Sequence, residues 1–129
     1  MTFKNYTIIA IFFIFLSIIL GAVAAHSLER VVSSELILTF EKGVKYMMYS
    51  GLGLLTISLN SHRFNVNLKW ALNCISIGTL LFSGNIFLYI FHEFIPSLKH
   101  LVHVVPVGGL LMIVGWGIIL WHTARKKLQ

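Results

Sequence analysis

The chain has 129 residues, of which 57% are hydrophobic and 11% charged, with a mean hydropathy of +0.88. A soluble domain carries roughly a quarter charged residues, so there is too little polar material here to coat a soluble globule. The net charge of +6 does not point to nucleic acid, because the basic residues fall in the gaps between apolar runs and not on one accessible face. A lone Cys74 excludes an intramolecular disulfide and any multi-cysteine metal site.

Four apolar stretches, at about 6–25, 43–60, 68–91 and 101–122, are each near the ~20 residues a helix needs to cross ~30 Å of hydrocarbon. None alternates with period two, and a helix satisfies its own backbone hydrogen bonds in lipid. The expected fold is an all-α membrane protein: one integral domain over 1–129, a four-transmembrane-helix antiparallel bundle with an amphipathic segment between helices 1 and 2.

In the first stretch, Lys4, the run Ile8 to Leu20 and Ala22-Val23-Ala24 resemble a secretory signal with a cleavage site. The run continues apolar to Ala25, which favours retention as a span. Ser17, Gly21 and Ala25 recur every four residues, a small-residue stripe expected to admit a neighbouring helix. His26 follows, placed to donate a hydrogen bond to one of the carbonyls left open at the helix end and so to anchor the interface.

From His26 to Lys42, the residues Leu28, Val31, Val32, Leu36 and Ile37 alternate with Glu29, Arg30, Glu35 and Glu41. This pattern predicts an amphipathic segment on the membrane surface. Ser33 or Ser34 is placed to cap a second helix running from about 34 to 60. The loops near 61–67 and 92–100 are short, which makes successive helices antiparallel neighbours.

The side bearing both termini and the middle loop carries six basic residues, Lys4, Arg63, Lys69, Arg125, Lys126 and Lys127; the other carries four, Arg30, Lys42, Lys45 and Lys99. The basic excess predicts cytoplasmic termini in the cell (inner) membrane. All four acids, Glu29, Glu35, Glu41 and Glu93, fall on the outer side. On this topology Tyr6, Trp70 and Trp121 lie near the inner interface, and Tyr46, Tyr49 and Tyr89 nearer the outer one.

His26, His92, His100 and His103, with Glu41 and Glu93, also fall toward the outer side. They lack a His-x-x-x-His or Glu-x-x-His spacing, and no metal or cofactor is expected. Asn73, Ser76, Ser83 and Asn85 on the third span, and Ser50, Thr56 and Ser58 on the second, read as hydrogen-bonding contacts between helices. Proton relays normally add an ionisable group at mid-depth, and none is present. Gly51, Gly53, Gly78, Gly84 and Gly115-Trp116-Gly117 favour close helix approach, and a kink is expected near Pro106. No nucleophile with an adjacent base, phosphate-cradling loop or zinc-protease motif is visible, so no enzyme is expected.

In order along the chain stand Gly21-Ala22-Val23-Ala24-Ala25-His26, Gly43-Val44-Lys45-Tyr46, Leu81-Phe82-Ser83-Gly84, Pro106-Val107-Gly108-Gly109 and Gly115-Trp116. Together they resemble the domain-of-unknown-function 423 family, small bacterial inner-membrane proteins with a eukaryotic transmembrane relative. The resemblance spans essentially the whole chain and implies a four-span bundle in the cytoplasmic membrane, without a settled activity. The family pattern commonly has Thr where Lys42 stands, His where Ser50 stands, Ser and Tyr where Asn85 and Phe87 stand, and Thr where Val105 stands. Of the histidines, only His26 matches it.

The candidate motif residues are Gly21, His26, Tyr46, Ser83, Gly84, Asn85, Pro106, Gly108, Gly109 and Trp116. The expected role is non-enzymatic, through helix–helix contacts in the lipid bilayer, as a structural, assembly or membrane-homeostasis factor, with a homo-oligomer or other membrane proteins as partners and no nucleic acid. Rival readings are a subunit of an oligomeric channel or transporter, which would need either several copies or a polar cavity between the second and third spans and would be favoured by a polar vestibule lined by Ser50, Asn73, Ser83 or Asn85, and a haem or quinone redox module using the outer-side histidines.

Overall fold

The computed structural model describes residues 2–126, and these are mostly helical, with no strand among them. Lys127, part of the basic count, lies outside the described residues. Helix α1 is Phe3–His26, α2 is Ser34–Leu59, α3 is Lys69–Thr79, α4 is Asn85–Tyr89 and α5 is Val105–Arg125. A π-helical turn, Leu80–Gly84, joins α3 to α4 without interrupting the helical run, and a 3₁₀ segment, Pro96–His103, leads into α5.

Two helix pairs form the body, and each is legible from its contacts. Along α1 and α2, Thr7 meets Ser58, Ala10 and Ile14 lie against Gly51, and Gly21 lies near Val44, so the order of contacts is reversed between the two helices. Along α3 and α5 the order is reversed too: Ala71 and Ile75 meet Gly115, and Gly78 meets Gly108 and Met112. The pairs join through a core of Tyr6, Phe13, Met47, Leu54, Leu72 and Ile75. Outside this core, large apolar side chains such as Phe15, Ile18, Leu110, Ile113 and Leu120 are exposed, the arrangement expected where lipid is the solvent.

The start of α2 follows the sequence closely. Ser33 is extended, and its side chain accepts a hydrogen bond from the Leu36 N–H at 3.4 Å, which satisfies one of the orphan donors of the first turn. The preceding segment departs from expectation. Its apolar side turns onto the protein more than onto the membrane surface: a 3₁₀ turn, Leu28–Arg30, folds the chain back at once. Leu28, Val32, Leu36 and Phe40, spaced by four, bury with Ala24 and Ile90 as a second small core. The apolar stripe covers the end of the protein itself, while Glu29, Arg30 and Glu35 remain exposed.

The expected kink at Pro106 is also corrected. Pro106 sits in the first turn of α5, where its missing N–H would have no intrahelical partner in any case. Helix α5 therefore begins at Val105 and not near residue 101, and the residues before it take the tighter 3₁₀ form.

Three helical stretches, Phe3–His26, Lys69–Tyr89 and Pro96–Arg125, are long and apolar enough to cross a membrane by length and composition. Helix α2 is not among them. Its 26 residues span about 39 Å, but Glu35, Glu41, Lys42 and Lys45 load its first half, and Gly43, Ser50, Gly51, Gly53 and Ser58 dilute the rest.

Candidate functional site

On α2, Tyr46, Tyr49, Ser50 and Gly53 follow the spacing i, i+3, i+4, i+7, which places them on one helical face. On α5, Gly109, Met112, Ile113 and Trp116 repeat that spacing. The two stripes face each other across a cavity of about 700 Å³, closed at one side by Phe82 from the π-helical turn.

Backbone proximity shapes the walls. A Cβ on Gly108 would clash with the backbone nitrogen of Phe82 and lie 2.7 Å from the Gly78 carbonyl oxygen. Only a residue without a side chain lets α5 approach the turn this closely. Similarly, a Cβ on Gly53 would clash with the Trp116 ring, so the indole lies directly over α2 at that glycine. Tyr46 meets Phe82 nearly edge-on, with centroids 5.3 Å apart, and meets Tyr49 in the same way at 5.9 Å.

The π-helical turn is tied to α2 by Ser83, whose hydroxyl donates to the Gly43 carbonyl at 2.7 Å. An inserted residue in a helix turns everything beyond it, and such turns often occur at functional sites. Here it directs Ser83 toward α2 and Phe82 toward the cavity. Asn85 donates from Nδ2 to the Leu81 carbonyl at 2.6 Å, on its own helical run.

Of the candidate motif residues, the structure brings Tyr46, Gly109 and Trp116 into the cavity wall and sets Gly108 and Ser83 directly behind it. Gly84 has open space around it, and Pro106 is exposed. Gly21 and His26 lie elsewhere, on the last part of α1. A Cβ on Gly21 would make only an ordinary 3.6 Å contact with Val44, and Ala25 is exposed. The small-residue stripe thus holds at Ser17, is only loosely packed against α2 at Gly21 and fails at Ala25; the fully buried residues of α1 are Tyr6, Ala10, Phe13, Ser17 and Ala24. His26 is exposed, and the Val23 carbonyl at the helix end takes the backbone N–H of Ser27 instead of an imidazole.

Among the described residues no three His, Cys, Asp or Glu side chains converge. His92 stacks on Tyr89 with centroids 4.6 Å apart, and His100 and His103 are exposed on the 3₁₀ segment. The four residues expected to line a polar vestibule do not share this cavity: Asn73 accepts from Tyr6, Ser83 and Asn85 are bonded as above, and only Ser50 of that set borders it. Tyr49, Met112 and Ile113 were not singled out from the sequence. Their signal was present in the matched seven-residue stripes, which have meaning only once α2 and α5 are known to face each other.

Residues 20–109 match the model of a family described as a protein of unknown function, DUF423. The chain belongs to the DUF423 family. The match covers α2, the π-helical turn and the start of α5, including most of the cavity wall. A UPF0382 membrane protein of Staphylococcus haemolyticus is 34% identical over 105 residues, 81% of this chain and 83% of the relative. One from Staphylococcus epidermidis is 34% identical over the same length, and one from Haemophilus influenzae is 28% identical over 113 residues, 88% of each chain. No solved structure matches the chain. Family membership and the three apolar helical stretches make this DUF423 chain a membrane protein.

Proposed function

We propose that this DUF423 protein is a four-span antiparallel bundle of the cytoplasmic membrane, with both termini inside, that acts without catalysis through helix–helix contacts as a structural, assembly or membrane-homeostasis factor. The observation that carries the reading is where the buried polar groups go. Tyr6 reaches Asn73, Thr7 reaches Ser58 and Ser83 reaches the Gly43 carbonyl, each joining two helices. Buried polar side chains of this kind serve as contacts between helices in lipid.

The same accounting supports α2 as the fourth span. Gly43, Ser50, Gly51 and Ser58, which lower its hydropathy, are all buried against other helices. Lipid meets instead Leu52, Leu59 and the two tyrosines. A helix enclosed in this way needs less apolar surface than one that stands alone.

Co-purification from native membranes in mild detergent tests the role: a stoichiometric membrane-protein partner, or a second copy, is expected. Recovery of only monomer, from membranes cross-linked beforehand as well as untreated, would overturn it. Reporter fusions test the topology separately, and a C-terminus outside the cell would refute the orientation.

A further inference from the structure

Ser50 is 1% exposed, borders the cavity between α2 and α5, and its hydroxyl has no hydrogen-bond partner among the described residues. Other hydroxyls in these helices behave differently. Those of Ser17, Thr56 and Thr79 donate to the carbonyl four residues earlier. Ser76 is the other hydroxyl without a partner, and it does not line this cavity.

We propose that the cavity binds a lipid-soluble molecule with a flat, carbonyl-bearing ring, of the quinone chemical class, with the Ser50 hydroxyl donating to a ring carbonyl. Four of the nine wall residues are aromatic, Tyr46, Tyr49, Phe82 and Trp116. Their ring faces carry negative quadrupolar charge, which complements an electron-poor ring. The volume of about 700 Å³ lies within the roughly 300–1,000 Å³ of small-molecule sites. It accommodates such a ring with the first part of an apolar tail.

Depth and access favour this occupant over a phospholipid acyl chain. Ser50 precedes the end of α2 at Leu59 by nine residues, about 14 Å along the axis. With α2 as the proposed fourth span, that is about midway across the ~30 Å of hydrocarbon, where glycerol esters do not reach. A saturated chain would fill the space and leave a buried donor unpaired, at a cost of about 1–3 kcal/mol. Tyr49 and Ile113 are 57% and 69% exposed, so the cavity opens sideways to the surface that faces lipid. The site uses none of the histidines. The site rests on α2 being the fourth span proposed above but not on the helix-contact role, and its test involves no protein partner, so its failure and that of the helix-contact role are distinguishable.

The test is a titration of a short-chain benzoquinone against the protein in lipid nanodiscs, with Trp70→Phe and Trp121→Phe leaving Trp116 as the single tryptophan, excited selectively over the tyrosines. Saturable quenching of Trp116 is expected. Ser50→Ala should weaken apparent affinity by about tenfold, the loss of one hydrogen bond in a dry site, without lowering thermal stability. Gly109→Leu should abolish saturation by filling the cavity, since a Cβ there meets only the Phe82 ring, at 3.5 Å. Quenching that rises linearly and equally in all three proteins reports collision in the lipid and overturns the site. Saturation unaltered by Ser50→Ala overturns the role of the hydroxyl and the carbonyl-bearing class with it.

Discussion

The Tyr6 hydroxyl donates a hydrogen bond of 2.7 Å to Oδ1 of Asn73, joining α1 to α3 across 67 positions of the chain. The same oxygen lies 3.2 Å from the Lys69 carbonyl, so the contact fixes both the rotation and the height of α1 against α3. Tyr6 is fully buried. Hydrogen bonds between membrane helices contribute about 0.6 kcal/mol on average and up to about 1.7 kcal/mol. Tyr6→Phe is therefore expected to lower unfolding free energy in detergent by about 0.5–1.5 kcal/mol. A double-mutant cycle with Asn73→Ala should show coupling of the same size; additive losses would mean that the pair does not interact.

Glycine positions separate sharply by what surrounds them. A Cβ at Gly108 would clash with backbone atoms, which cannot move aside as the end of a flexible side chain can. Gly108→Ala is expected to destabilise by about 1–3 kcal/mol or more, the range for overpacking. Gly84 and Gly117 have nothing within 4 Å of an added Cβ, and Gly84 has helical angles, φ −61° and ψ −43°. Alanine there should be neutral or stabilising by about 0.5–1 kcal/mol. Thermal midpoints of the three alanine variants check the ordering.

A similar contrast holds within α1 and reverses what the small-residue stripe suggests. Phe13 is 1% exposed within the main core, whereas Gly21 has room for a side chain beside Val44. Phe13→Ala should cost about 3–5 kcal/mol, and Gly21→Ala should cost little or nothing. Equal losses at the two positions would place Gly21 in a tight contact after all.

These cases show which parts of the fold the sequence carries. The all-helical class, the start of α2 at its Ser33 cap and the apolar runs are local properties, set by propensity, capping and composition. The choice of buried face on α1 is not local. Ser17, Gly21 and Ala25 recur every four residues, but the fully buried residues Tyr6, Ala10, Phe13, Ser17 and Ala24 follow steps of four, three, four and seven, the period of an α-helix and not a fixed period of four. Hydropathy could not distinguish these faces, since every side of α1 is apolar. The cavity was half legible: the motif supplies Tyr46, Gly109 and Trp116, while Tyr49, Met112 and Ile113 become wall residues only through the pairing of α2 with α5.

Ser83 provides the last test, because it couples the π-helical turn to α2. Its side chain is fully buried, and its hydroxyl donates to the Gly43 carbonyl at 2.7 Å. Gly43 is itself tightly enclosed: a Cβ there would stand 2.9 Å from the Phe87 ring and 3.1 Å from Ile86. Ser83→Ala removes one interhelical hydrogen bond and leaves the Gly43 carbonyl within its own helix, so the expected cost is about 0.5–1.5 kcal/mol. Ser83→Val adds volume where none is free and should cost more. The location of the effect is as informative as its size. If the bond holds the turn against α2, amide hydrogen exchange in Ser83→Ala should accelerate first across residues 80–84 and not at the centre of α1. Uniform acceleration across all helices would show that Ser83 contributes only to global stability.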